Sequence, residues 1–166
     1  MALSGSFYKY PTSKFGLYCD WTGSQSVTGN YTDVTLNVYL QFYTLQVGAR
    51  ADSTISINGE SETYTAPAIN DLSSKSWHKV HLKSKTVRVY HNSNGTKTGV
   101  SLSASWRFSG TYSGVSIGTI TASAAVDLDS IDRAAPTVTF STSNITANGF
   151  KISAASSAKA DIWQYS

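Results

Sequence analysis

The stretch DVTLNVYLQFYTL, from Asp33 to Leu45, alternates apolar and polar residues over most of its length. Successive side chains of an extended strand point to opposite faces, so the alternation predicts one core face and one polar face. The core set is Val34, Leu36, Val38, Leu40 and Phe42, and the polar set is Thr35, Asn37, Tyr39, Gln41 and Tyr43. The stretch therefore predicts a half-buried β-strand.

The same period of two recurs before and after this strand. Apolar residues alternate at Phe15, Leu17, Cys19 and Trp21, and again at Val100, Leu102, Ala104, Trp106 and Phe108. Cys19 falls among apolar neighbours, which indicates a small buried hydrophobe rather than a nucleophile. We expect Trp21, Trp106, Phe42 and Phe108 to supply the large rings of the core.

Turn signals divide the remaining strands. Asn58–Gly59 follows an apolar alternation and predicts a hairpin. Residues 80–89 predict a pair of strands that turns at 83–85. Residues 115–128 predict a last strand with a bulge at Gly118, where the apolar parity shifts.

These patterns together define a fold class and a domain organisation. No window shows sustained helical periodicity, so residues 1–128 are expected to form an all-β, jelly-roll-like antiparallel β-sandwich of roughly eight strands. Residues 129–136, DSIDRAAP, are expected to be a linker. Residues 137–166 are expected to begin an immunoglobulin- or fibronectin-like module, in which the chain stops, because they hold only about three strand-like stretches where such a domain needs around seven. Those stretches are Val138 with Phe140, Phe150 with Ile152, and Ile162 with Trp163 and Tyr165.

Charge and composition narrow the possible partners. Charged residues are 14% of the chain and the net charge is +3, which is too little to indicate nucleic acid. The basic residues concentrate at Lys79, Lys83, Lys85 and Arg88, a pattern more typical of a soluble sheet edge than of a phosphate site. The single cysteine excludes an internal disulfide. No segment approaches the roughly twenty apolar residues of a membrane span, and no signal peptide is apparent, so we expect synthesis in a cytoplasm and no membrane partner.

The histidines and acids predict little chemistry. His78 and His81 are expected on opposite faces of a strand, where they cannot readily share a metal, and His91 is expected to hydrogen-bond the backbone of a turn. Glu60 and Glu62 could in principle form a glycosidase pair, but their place beside a hairpin favours a solvated face. The acids Asp127, Asp129 and Asp132 lack the glycine and terminal glutamate of a calcium loop, and edge charges are the preferred interpretation. We therefore expect no catalytic residue, no metal and no cofactor, and hence a protein that is not an enzyme.

The aromatic residues are more informative than the acids. Tyr39 and Tyr43 share the polar side of their strand with Asn37 and Gln41. Rings interleaved with amides suit saccharide recognition, because rings stack on the apolar faces of sugars while amides pair with hydroxyls. Tyrosine is equally common at protein interfaces, so a face covered by a neighbouring subunit is the alternative.

Two further segments carry a family resemblance. TVRVYHNSNGTKT, at residues 86–98, reads as a strand, a tight Asn/Gly turn and a returning strand, and VDLDSIDRAAP follows at residues 126–136. Together they resemble a recurrent pair in minor structural (tail) proteins of long-tailed phages of Gram-positive bacteria. The chain has Asn94 where that family usually has Asp and Asp132 where it usually has Pro. Asn tolerates the same turn conformations as Asp, so the first change preserves the local backbone.

The resemblance implies a virion protein located in the phage tail and made in the bacterial host. One hypothesis is a non-enzymatic adsorption module that binds host cell-wall polysaccharide. The alternative is a purely structural tail or baseplate part that packs on other tail proteins without binding sugar. In both cases the expected partners are other tail proteins and further copies of the chain in a homo-oligomer.

Overall fold

The computed structural model describes residues 2–72, 76–133, 138–146 and 149–156. The chain divides into two compact units, Met1–Asp132 and Arg133–Ser166. The strands of the first unit are β1 (Ser4–Thr12), β2 (Phe15–Ser26), β3 (Tyr31–Phe42), β4 (Leu45–Val47), β5 (Arg50–Ile57), β6 (Glu60–Ala66), β7 (Ile69–Asp71), β8 (His78–Tyr90), β9 (Lys97–Trp106), β10 (Gly110–Tyr112), β11 (Val115–Ile117) and β12 (Ile120–Leu128). Those of the second are β13 (Val138–Thr146) and β14 (Gly149–Ser156).

Eight long strands of the first unit form two antiparallel sheets. The first sheet has the order β1-β2-β3-β8 and the second the order β12-β9-β5-β6. Short ladders join β4 to β7 and β10 to β11. The described ranges contain no helix, and therefore none long and apolar enough to cross a membrane. The sequence prediction of an all-β antiparallel sandwich is confirmed.

The core lies between the apolar faces of the two sheets. In β3 every second residue from Thr32 to Phe42 is buried, which is the alternation that the sequence predicts. The ring of Phe15 on β2 lies 5.7 Å from that of Trp106 on β9, measured between centroids, so aromatic packing joins the sheets directly. Trp21, Phe42, Trp106 and Phe108 are all buried, as expected. Burial also raises the pKa of the Cys19 thiol to about 12, which leaves it a protonated core residue.

The two open edges of the sandwich are protected in different ways. At one edge Ala2 pairs with Leu128, and its backbone N–H donates to Asp127 O at 3.0 Å, so the start of the chain crosses onto β12. At the other edge Lys83 and Lys85 of β8 occupy positions opposite buried residues of β3. Their ammonium groups lie 2.5 and 3.7 Å from the carboxylate oxygens of Glu62 on β6. Inward-pointing charges of this kind discourage pairing with another sheet edge.

Three local predictions need correction. Residues 80–89 do not turn at 83–85, because β8 is one continuous strand whose register shifts near Leu82, opposite Val38 and Tyr39. A bulge inserts one extra residue, so it changes the parity of the strand without a turn. Residues 115–128 form two strands, since Gly118 separates β11, which pairs with β10, from β12, which pairs with β9.

The third correction concerns residues 86–98, which do not form a hairpin of two paired strands. β8 belongs to the first sheet and β9 to the second, so the turn between them is a corner at which the chain changes sheets. The turn itself forms as predicted, with Gly95 at φ 80° and its N–H donating to Asn92 O at 2.8 Å. His91 Nδ1 contacts Gly95 O at 2.7 Å and Nε2 contacts Thr32 Oγ1 at 2.7 Å, which confirms the backbone-bonding role expected of this histidine.

The segment after β12 remains attached to this corner. Ile131 is buried, and its N–H donates to Gly95 O at 3.0 Å. Gln25 Nε2 donates to Asp129 O at 2.6 Å. The two motifs that carry the family resemblance therefore meet in space, and the first compact unit extends through Asp132.

The described residues of the second unit include one antiparallel pair of strands. β13 and β14 pair from Val138 opposite Ser156 to Thr146 opposite Gly149. These are the first two strand-like stretches that the sequence predicts. The third, with Ile162, Trp163 and Tyr165, lies outside the described residues.

Candidate functional site: the outer face of the first sheet

The outward side of the first sheet gathers most of the tyrosines that the core does not use. We define the tyrosine face as the outward side chains of β1, β2, β3 and β8 at one end of this sheet, together with the adjoining rings: Tyr8, Tyr10, Tyr18, Asn37, Tyr39, Gln41, Tyr43, Trp77, Lys79 and His81. The antiparallel register aligns Tyr8 with Tyr18, Tyr18 with Tyr39, and Tyr39 with His81. A single row across all four strands is therefore aromatic.

The rings of this row contact one another and a lysine. Tyr18 and Tyr39 have centroids 6.3 Å apart, and Tyr39 and His81 are 5.3 Å apart with a T-shaped arrangement. Lys79 Nζ lies 3.9 Å from the centroid of Tyr39 and 4.3 Å from that of Tyr18. Cation–π attraction of this geometry fixes the ammonium over the two rings.

A chain of hydrogen bonds crosses the next row of side chains. Ser84 Oγ donates to Asn37 Oδ1 at 2.6 Å, and Asn37 Nδ2 donates to Asp20 Oδ1 at 2.8 Å. His81 Nε2 lies 2.8 Å from Ser84 Oγ. Because the Ser84 hydroxyl proton is already donated to Asn37, His81 carries its proton on Nε2 and donates it to Ser84 Oγ. The chain ends on the Asp20 carboxylate, which also lies 3.5 Å from Lys79 Nζ.

A second group of rings extends the face at the Phe42 end of β3. The Tyr10 hydroxyl donates to Gln41 Oε1. Tyr10 also contacts Tyr8 at 5.2 Å and Trp77 at 6.0 Å between centroids. Tyr43 also contacts Trp77, at 5.2 Å between centroids, so the four rings Tyr8, Tyr10, Trp77 and Tyr43 form a continuous series.

All four predicted site residues lie on this face. Asn37, Tyr39, Gln41 and Tyr43 are each half-buried, and each contacts other members of the tyrosine face or Asp20. The prediction stopped at β3, however, and missed the most exposed rings. Tyr8 is 65% exposed and Trp77 is 49% exposed.

The missed rings had a partial signal in the sequence. Tyr8 and Tyr10 are two residues apart in β1, and Tyr18 has the opposite parity to the core residues of β2. Parity alone places each ring on an outer face but does not say which strands are neighbours. Trp77 precedes β8 and carries no periodic signal, so only the fold brings it to Tyr10.

Two acidic residues outside the tyrosine face, Asp127 and Glu62, make structural contacts. Asp127 Oδ1 accepts a hydrogen bond from Gly99 N at 2.9 Å. Glu62 bridges the sheet edge, and hydrogen bonding from Lys83 holds the pKa of its carboxyl below the ordinary range. Within the described ranges, no group of three or more His, Cys, Asp or Glu side chains is arranged to hold a metal ion.

The described structure is thus a β-sandwich with an organised aromatic and polar sheet face. The chain belongs to the family described as "Siphovirus protein of unknown function (DUF859)", whose model matches residues 11–160. It is therefore a protein of long-tailed phages. No curated protein and no solved structure matches it.

Proposed function

We propose that the protein is a virion component of the siphovirus tail or tail tip that binds host cell-wall saccharide through the tyrosine face, without enzymatic activity. The observation that carries the proposal is the continuous series of four rings beside a row of hydrogen-bonding side chains. Membership of a siphovirus family supports the phage context. The family resemblance noted in the sequence supports the tail and a Gram-positive host.

The ring series provides exposed aromatic surface on which a sugar can stack. Tyr8 and Trp77 present large exposed areas at the surface, and Tyr10 lies between them. The apolar faces of a sugar stack on such rings and gain both dispersion and burial of apolar surface. A series of rings, rather than one, suits a polymer that lies across the sheet.

Directional hydrogen bonds to a sugar would come from the row formed by Asp20, Asn37, Ser84 and His81. Asp20 accepts from Asn37, and His81 donates to Ser84, so the orientation of each group is fixed before a ligand arrives. Preorganised groups lose little conformational entropy on binding. Lone pairs of the Asp20 carboxylate and the remaining donors of Lys79 are suited to hydroxyl groups.

Affinity at one such face is expected to be modest. A virion that carries several copies converts later contacts into intramolecular events, and avidity then exceeds single-site affinity by about 10²- to 10⁴-fold. This arrangement needs no new contact and fits the expected homo-oligomer.

A structural role in the tail is the second candidate. Asn37 has both ends of its amide bonded within the protein, and Lys79 covers the ring of Tyr39. A face whose polar groups are already satisfied can be buried against another tail protein at low desolvation cost. In this case the exposed rings of Tyr8 and Trp77 would anchor that protein instead of a sugar.

Co-sedimentation with isolated Gram-positive cell walls separates the two candidates. The adsorption proposal predicts that the purified chain sediments with walls and that soluble wall saccharide releases it. Tyr39→Ala, Tyr43→Ala, Asn37→Ala and Gln41→Ala should each weaken sedimentation. Absence of wall binding by the unmodified chain, together with capture of tail proteins that the tyrosine variants lose, would favour the structural role.

A further inference from the structure

A cleft of about 270 Å³ opens at the rim of the second sheet, where β5 begins and β9 ends. It is lined by Ala49, Arg50, Ala51, Arg107 and Ser109. Two of these residues carry guanidinium groups, and the alanines leave room for a ligand beside them. The cleft is separate from the tyrosine face, which lies on the other sheet.

The hydrogen bonding of Arg50 is incomplete. Its Nε is buried, yet it has no hydrogen-bond partner. The guanidinium carbon lies 5.9 Å from the centroid of Phe108, so the aromatic ring helps to position the group at the cleft. A buried donor without an acceptor costs about 1–3 kcal/mol, and a bound acceptor would remove that cost.

Arg107 keeps donors free for a ligand. Its Nη1 donates to Asp52 Oδ2, and both side chains are largely exposed. A guanidinium has five N–H donors in a planar fork, so one contact with Asp52 leaves others for an anion. The charges of Arg50, Arg107 and Asp52 sum to one positive charge beside the cleft.

The backbone at the cleft is irregular in a way that supports a site. The register of β5 with β6 shifts between Arg50 and Ser53, and Asp52 within this bulge has φ 59°. Ser53 Oγ accepts a hydrogen bond from Arg107 N at 3.2 Å, which ties the bulge to the end of β9. Bulges and residues at positive φ occur preferentially beside functional sites, where they redirect side chains.

We propose that this arginine cleft binds an oxyanion, a phosphate or a carboxylate group, carried on a larger ligand. Arginine pairs with both groups through parallel charge-assisted hydrogen bonds, and Ser109 adds a hydroxyl donor. The cleft is larger than the anionic group alone, so part of it receives the remainder of the ligand. The site is independent of wall binding by the tyrosine face.

The test is a titration of the ¹⁵N-labelled full chain, followed by NMR, with sodium glycerol phosphate or sodium acetate. Sodium chloride at equal ionic strength is the reference. Saturable shifts of the Ala49, Ala51 and Ser109 amides are expected with at least one of the two anions, and the stronger one identifies the ligand class. If neither anion shifts these amides beyond chloride, the proposal is wrong.

Variants distinguish a built site from general positive charge. Arg107→Met should raise the Kd about tenfold or more, because it removes charge-assisted hydrogen bonds from an exposed position. Asp52→Asn should lower the Kd by removing the competing carboxylate. Arg88→Met is the matched control, since it also removes an arginine paired with an aspartate but lies on the other sheet. Equal weakening by Arg88→Met and Arg107→Met would overturn the proposal.

Discussion

Trp106 is the largest side chain that the first unit buries completely. Its ring stacks on Phe108 at 5.1 Å and meets Phe15 edge-on at 5.7 Å, so it fills the space between the two sheets. Its Nε1 has no hydrogen-bond partner, which means that packing alone stabilises it. The stability of the sandwich should therefore depend strongly on this one ring.

Replacement of this ring gives the first prediction. Trp106→Ala should lower the free energy of unfolding by about 3–5 kcal/mol through lost burial and an unfilled cavity. Trp106→Phe should cost less, since it also removes the unpaired donor. Chemical denaturation measures both changes. Trp77→Ala, at a half-exposed ring, is the control, and a loss for Trp106→Ala as small as that control's would contradict the packing described.

Gly95 gives the second prediction at this scale. Its φ of 80° lies in the left-handed region, where a Cβ costs about 1–2 kcal/mol. Gly95→Ala should therefore destabilise the protein by that amount. Gly118→Ala is the matched control, because an added Cβ there meets nothing within 4 Å. If the two variants have the same unfolding midpoint, the corner does not need positive φ at residue 95.

The sequence predicted burial best for residues whose burial depends only on their position within one strand. Alternation in β3 and β9 correctly separated Val38 and Trp106 from Tyr39, because parity depends only on the local backbone. It could not predict that Lys79 covers Tyr39. That contact depends on β8 pairing with β3 and on the bulge near Leu82, which a strand pattern does not encode.

At the scale of elements, β8 shows how one strand serves two purposes. Its outward residues Lys79 and His81 belong to the tyrosine face, while Lys83 and Lys85 point inward and pair with Glu62. The sequence concentrates lysines in this segment and predicts a sheet edge, and β8 is the edge strand of the first sheet. The bulge near Leu82 changes the parity of β8, and it therefore places Lys79 and His81 on one face and Lys83 and Lys85 on the other.

The ion pair at this edge predicts a pH dependence. Hydrogen bonding from Lys83 lowers the pKa of Glu62 from its ordinary value of 4.5. A lowered pKa in the folded state means that the pair stabilises the fold fully above that ordinary value and less as the pH falls through the folded pKa. The unfolding midpoint of Glu62→Gln should therefore lie below that of the unmodified chain at pH 7, and the gap should narrow as the pH falls below 4.5.

Glu60→Gln is the control for this measurement, since Glu60 is on the same strand but next to the turn. A gap for Glu62→Gln that stays constant across the pH range would show that the carboxylate charge is irrelevant to the edge.

The corner between β8 and β9 could not be predicted as a change of sheet. An Asn/Gly turn has the same local chemistry whether the flanking strands remain paired or separate. What separates them here is tertiary pairing, with β8 beside β3 and β9 between β12 and β5. A local sequence pattern does not encode such non-local strand pairing.

For the molecule as a whole, a substitution at Ile131 tests where the first unit ends. Its burial and its hydrogen bond to Gly95 join the corner to the segment after β12. Ile131→Ala should cost about 2–5 kcal/mol in the free energy of unfolding, as expected for a buried isoleucine. A loss below about 0.5 kcal/mol, typical of surface positions, would mean that this segment is only a connection.

Saccharide binding by the tyrosine face can be tested with a matched pair of tyrosines. Tyr8 is 65% exposed on this face, whereas Tyr90 is 64% exposed at the other end of the same sheet, beside Tyr31. The decisive measurement is the Kd for isolated cell walls of Tyr8→Ala and Tyr90→Ala, with the unfolding midpoint of each. Tyr8→Ala should raise the Kd roughly two- to tenfold, equivalent to about 0.5–1.5 kcal/mol of stacking, while Tyr90→Ala leaves it unchanged and both midpoints stay near that of the unmodified chain. Equal Kd values for the two variants would contradict this proposal.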